Sequence, residues 1–179
     1  MRSVLWVGCI GFVACTGPGN TKQVSSYPSA AAMLDSLVPV LENSRDTFYQ
    51  NLHYHEEKPV TQPIKTPVNW KEVLEVFYTL DISKPALQGQ YQQVKSTEGE
   101  TLWNTFTTNK ENLPVKVFAI QQDSLGYCQF TGQIRKENLI SGHEVSLRAD
   151  LRNQDFSYEG RRWTLWSKDT VPFGVRVFK

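Results

Sequence analysis

The spacing of apolar residues changes period once along the chain. In the first part Leu34, Leu37, Val38, Leu41, Phe48 and Leu52 recur at helical intervals and form one apolar stripe. Pro28 suits the first turn of a helix, where a missing N–H costs nothing. Pro39 interrupts the stripe and predicts a kink or a restart, because an interior proline clashes with the preceding turn. Residues 57–67 contain three prolines and no apolar period, which predicts a loop. A second helix is expected from Trp70. Asn69 can cap it, and Glu72 completes a capping-box-like pair. Trp70, Val73, Leu74, Phe77 and Leu80 then make a single core-facing stripe, ended by Lys84-Pro85.

Beyond Pro85 the period becomes 2. Val145, Leu147, Ala149 and Leu151 alternate with Glu144, Ser146, Arg148, Asp150 and Arg152, the mark of a half-buried antiparallel strand. Similar runs lie at 88–94, 101–107, 115–121, 127–135, 156–166 and 173–179. Turn-forming residues separate them. Connections this short favour sequential neighbours. The expected fold is α+β: N-terminal helices (28–84) packed on a C-terminal antiparallel β-meander (85–179), either a twisted sheet or a partly closed barrel.

The extreme N-terminus has a different character. Arg2 precedes an uncharged apolar run, residues 4–14, which is too short to span a bilayer as a helix. It suits the core of a signal peptide, residues 1–14. The end of the run, Phe12-Val13-Ala14-Cys15, resembles the bacterial lipobox, with Phe12 where leucine is usual. That resemblance implies cleavage before Cys15 and its acylation with a fatty acid such as palmitate. Residues 15–27 are small and polar and read as a flexible tether. The expected partner is therefore a membrane, reached through the lipid anchor, with a possible envelope protein as a second partner. The expected location is the cell envelope, on the outer membrane in preference to the inner, with the domain in the periplasm or at the cell surface. Cys9 would leave with the signal and acylation would consume Cys15, so Cys128 stands alone and no internal disulfide is available. A lone cysteine alternating with Phe130 and Ile134 reads as a small core residue.

Residues 69–72 (Asn-Trp-Lys-Glu) and 80–91 (Leu-Asp-Ile-Ser-Lys-Pro-Ala-Leu-Gln-Gly-Gln-Tyr) resemble a segment of small lipoproteins common in Bacteroidetes. Ser83 stands where asparagine is expected. The likeness is specific around Trp70 to Tyr91 and looser over the rest. It implies export and the fold described above, and it brings no catalytic residues.

Charge and motifs then narrow the function. The chain carries 19 Lys and Arg against 18 Asp and Glu, and loss of Arg2 with a signal would balance them. No basic stripe is present to release counterions, which argues against a nucleic-acid partner. There is no Gly-x-Ser-x-Gly and no glycine-rich phosphate loop, so no cofactor is implied and the balance leans against an enzyme. His53-Tyr54-His55-Glu56-Glu57 has metal-ligand chemistry, but positions i and i+2 do not share a helix face, and an exposed polar helix end is expected there in place of a metal site. Asp81 is expected to organise the helix exit through local hydrogen bonds. Arg161-Arg162 flanked by Trp163 and Trp166 suggests stacking on a ligand such as a base or sugar, but aromatics on a meander strand are expected to be core or cross-strand pairs, with a bulge at Gly160. Two functions follow: a non-enzymatic interaction or accessory module on a lipid anchor, or a binder of a small apolar ligand inside a barrel-like cavity.

Overall fold

The computed structural model describes residues 27–55, 57–164, 166 and 170–179. Cys15, the expected signal and nearly all of the expected tether lie outside them. The fold is α+β but mostly β. Helix α1 (Ala30–Glu42) is followed by strands β1 (Tyr49–Tyr54) and β2 (Val60–Pro63), short helices α2 (Trp70–Val73) and α3 (Glu75–Tyr78), and a 3₁₀ turn (Pro85–Leu87). Seven strands complete it: β3 (Gln92–Glu98), β4 (Thr101–Thr107), β5 (Val115–Asp123), β6 (Gly126–Glu137), β7 (Ser141–Asp150), β8 (Asp155–Thr164) and β9 (Val171–Phe178). All nine form one antiparallel sheet in the order β2-β1-β9-β8-β7-β6-β5-β4-β3. The sheet is a meander from β3 to β9, which then pairs with β1. Its edges, β2 and β3, do not meet, so it is a sheet and not a closed barrel.

Alternation along the strands divides the sheet into an apolar face and a polar one. On the apolar face Phe118, Ile120, Phe130, Ile134, Val145, Leu147, Ala149, Phe156 and Val177 are buried under the helical layer. That layer contributes Leu34, Val38, Leu41, Trp70, Leu74, Phe77 and Leu80. Phe77 meets Phe130, Phe156 and Tyr158 edge-on, at ring centroids of 6.4, 5.8 and 6.3 Å. Leu80 seats on Gly132 so closely that a Cβ there would lie 2.3 Å from its Cδ2. Tyr78 ties α3 to α1 by donating its hydroxyl to Asp35 Oδ1 at 2.9 Å. Burial, and then the Asp35 carboxylate, push that phenol up to about 12.

Several expectations are corrected. The first helix ends at Glu42, not near Leu52. Ser44 and Asp46 satisfy each other locally there, with the Ser44 hydroxyl donating to Asp46 Oδ2 and accepting from its backbone N–H, and this competes with helix continuation. Phe48 and Leu52 fit helical spacing, but Leu52 lies in β1, which pairs with β9, and Phe48 just precedes it and packs on Trp70. Pro39 lies inside an unbroken α1. The expected loop at 57–67 contains β2. The second helix is two short pieces separated at Leu74, although Asn69 caps it as expected by accepting from Glu72 N, and Trp70, Leu74, Phe77 and Leu80 are all buried. The strand expected at 88–94 begins at Gln92, because the 3₁₀ turn and Gly89, at φ +73°, reverse the chain first. Tyr27, expected at the end of a flexible tether, is a buried core residue that packs on Phe106 and donates to the Tyr91 carbonyl.

Candidate functional site

The other face of the sheet is polar and uncovered. Alternation places on it Asn51 and His53 from β1, Arg176 from β9, Asp155, Ser157 and Glu159 from β8, and Ser146, Arg148 and Asp150 from β7. A groove of about 700 Å³ crosses these four strands. A second depression of about 350 Å³ adjoins it, sharing Arg148, Ser157 and Glu159.

The register builds the groove's charge pattern. Arg148, Ser157, Arg176 and Asn51 face one another in a single cross-strand row, so two guanidinium groups flank one hydroxyl. Arg176 is engaged: its Nε donates to Asp155 Oδ1 at 3.0 Å, and the two groups form an ion pair. This charge-assisted contact holds the Arg176 guanidinium above its usual range. Arg148 donates to the Gln129 side chain on β6 at 3.0 Å and also lines the groove. Asp150 is spent locally, accepting the backbone N–H groups of Arg152 and Asn153 at the β7–β8 turn. Asn51 donates to Thr61. His53 Nδ1 is buried beside the groove with no hydrogen-bond partner. The arrangement offers two guanidinium groups, one of them paired with Asp155, together with the Glu159 carboxylate and a hydroxyl, which is binding chemistry. Ser157 lies opposite two arginines in the ladders and has no base paired with it there.

The residues singled out by the sequence are dispersed. His53 lines the groove, whereas His55 lies beyond β1 at φ +54°, so the pair is not a helix end and is not brought together. No group of His, Cys, Asp or Glu suited to a metal occurs among the described residues. Asp81 accepts the Ser83 hydroxyl at the helix exit. Cys128 is buried, but it is the extra residue of a bulge between β5 and β6 and lies outside the main core cluster. Arg161 pairs with Glu144, and Arg162 lies over the Phe173 ring at 5.2 Å. No bulge occurs at Gly160; a Cβ there would strike the Glu144 carbonyl oxygen and the Phe173 ring, so the glycine answers a close approach. Trp163 lies on Gly142, but Trp166 is 78% exposed and pairs with nothing in the ladders. Sequence reading passed over His53 and Arg176 as groove residues, since the groove needs β1 beside β9, a pairing that spans most of the chain.

The chain matches no protein-family model, no curated protein and no solved structure.

Proposed function

We propose that the protein is an exported, lipid-anchored module of the cell envelope that acts by binding and not by catalysis, with the polar face of the sheet as its binding surface. The observation that carries this reading is the groove around Arg148 and Ser157. It is a wide, uncovered, charge-bearing surface on a sheet whose other face packs the core across its central strands. The apolar run before Cys15 and the resemblance to Bacteroidetes lipoproteins support export and anchoring. The alternative, an apolar ligand inside a barrel, has no observation in its favour: the sheet is open, and Phe77, Phe118, Phe130 and Phe156 fill the space above its apolar face.

Two measurements test the proposal. Metabolic labelling with a fatty acid should mark the wild type and not Cys15→Ser; equal labelling of both sinks the anchor. A photo-crosslinking residue at Ser157 should give a discrete adduct in cells that disappears when Arg148→Glu is added. An adduct indifferent to Arg148, or none, removes the groove as the binding surface.

A further inference from the structure

The two ends of the sheet are chemically unlike. One end carries the tight turns after β3, β5 and β7. The other carries the β6–β7 turn, the β8–β9 connection and the point where the N-terminal chain joins the fold. Tyr27 fixes that point, since its hydroxyl bonds both the carbonyl and the N–H of Tyr91, just before β3, and Tyr91 in turn donates to the Val115 carbonyl at the start of β5. Cys15 lies twelve residues earlier. Fully extended, that stretch spans at most about 40 Å, so an anchor at Cys15 would hold this point of the fold within that distance of the bilayer.

The β6–β7 turn at this end displays aliphatic side chains where turns usually carry polar ones. Asn138 organises it, its Oδ1 accepting from the N–H groups of Ile140 and Ser141. Leu139 is left 93% exposed and Ile140 54% exposed. Trp166, 78% exposed, comes two residues after Thr164, which lies directly opposite Ser141, so it belongs to the same end of the sheet. Behind this tip Lys136, His143 and Arg162 form a cross-strand row that supplies the basic character; in the next row Arg161 is paired with Glu144, and Arg135 with Glu137. An apolar tip with a tryptophan and a basic collar is the pattern of segments that enter a bilayer interface, where indole prefers the headgroup level and cations meet anionic lipid. The opposite end also has an exposed apolar turn residue, Leu125, 83% exposed, but its neighbour Asp123 is acidic and ion-paired with Arg152.

We propose that Leu139, Ile140 and Trp166 form a second membrane contact, seated in the headgroup region of an anionic bilayer. The orientation rests on the lipid-anchor reading above; the contact itself rests on the tip. It would stand the sheet on its end and leave the Arg148 groove open to the side.

The test uses the full chain with vesicles of phosphatidylethanolamine and phosphatidylglycerol carrying brominated acyl chains, which quench nearby indoles. Quenching should be clear in the wild type, absent in its Trp166-dependent part from Trp166→Phe, and reduced several-fold in Leu139→Asp/Ile140→Asp. Leu125→Asp should quench like the wild type. Flotation of the vesicles, measured alongside, separates the two readings. Flotation with equal proportional quenching in wild type and Trp166→Phe overturns the tip and leaves the anchor. Trp166 quenching that persists in Cys15→Ser upholds the tip independently of the anchor, and the labelling experiment decides the anchor. Neither flotation nor quenching overturns both.

Discussion

The contact between Leu80 and Gly132 gives the sharpest test of how the helical layer sits on the sheet. In a strand, replacing glycine with alanine ordinarily helps, because it lowers the entropy of the unfolded chain by about 0.4–1 kcal/mol where the backbone tolerates it. Here the new Cβ would lie 2.3 Å from Leu80 Cδ2 and 2.7 Å from Cδ1. Leu80 is itself fully buried and cannot swing into solvent. Overpacking of this kind costs roughly 1–3 kcal/mol. At about 2–4 °C per kcal/mol for a chain of this size, Gly132→Ala should lower the melting temperature by several degrees. Leu80→Ala alone opens a cavity and should cost about 2–5 kcal/mol. In that background the clash is gone and the added methyl occupies part of the void, so Gly132→Ala should become neutral or stabilising. Contacting residues couple by about 0.5–3 kcal/mol, and here the sign must favour the double variant over the sum of the singles. Urea titrations of the four proteins measure it. Additive effects, or a Gly132→Ala variant as stable as the wild type, would refute the placement of Leu80 on this strand.

Two further outcomes follow from the two-faced sheet. Leu147→Asp should unfold the domain by burying an unpaired charge, whereas Arg148→Asp, on the exposed face, should stay within about ±0.5 kcal/mol of the wild type in thermal unfolding; equal damage from both would mean that Arg148 faces a packed element. His143 is held below its usual range by burial first, and then by Lys136 and Arg162. Its folded pKa is therefore depressed below the unfolded value, so between the two the unfolded chain binds more protons, and stability should decline as pH falls below about 6.5. His143→Gln should flatten that part of the pH profile, and an unchanged slope would show that the histidine is not responsible.

Much of the fold was readable in the sequence. Strict alternation fixed which side of β7 is dry, because a period of 2 leaves no choice once one face is apolar: Val145, Leu147 and Ala149 are buried, and Ser146 and Arg148 are exposed. The helical stripe of Trp70, Leu74, Phe77 and Leu80 identified its own core face, and Asn69 its own start. These are local signals, carried by residues within one or two turns of each other. The groove was legible only in half. Arg148 could be assigned to the polar face of its strand, but nothing nearby in sequence indicates that Arg176, Asp155 and His53 lie beside it.

What the tertiary structure alone decided is the fate of residues 43–67. Phe48 and Leu52 are four apart, a spacing that suits a helix and equally two positions on one face of a strand. Local patterning therefore cannot choose between them. The choice comes from β9, whose far edge would otherwise leave a row of unpaired N–H and C=O groups; β1 satisfies them, with Tyr49 opposite Phe178 and Tyr54 opposite Phe173. That partner lies more than a hundred residues away in the chain, so its backbone hydrogen bonds leave no trace in the side-chain pattern of β1. The same pairing brings Asn51 and His53 up to Arg176 and makes the groove, which is why the candidate site belongs to the fold and not to any motif.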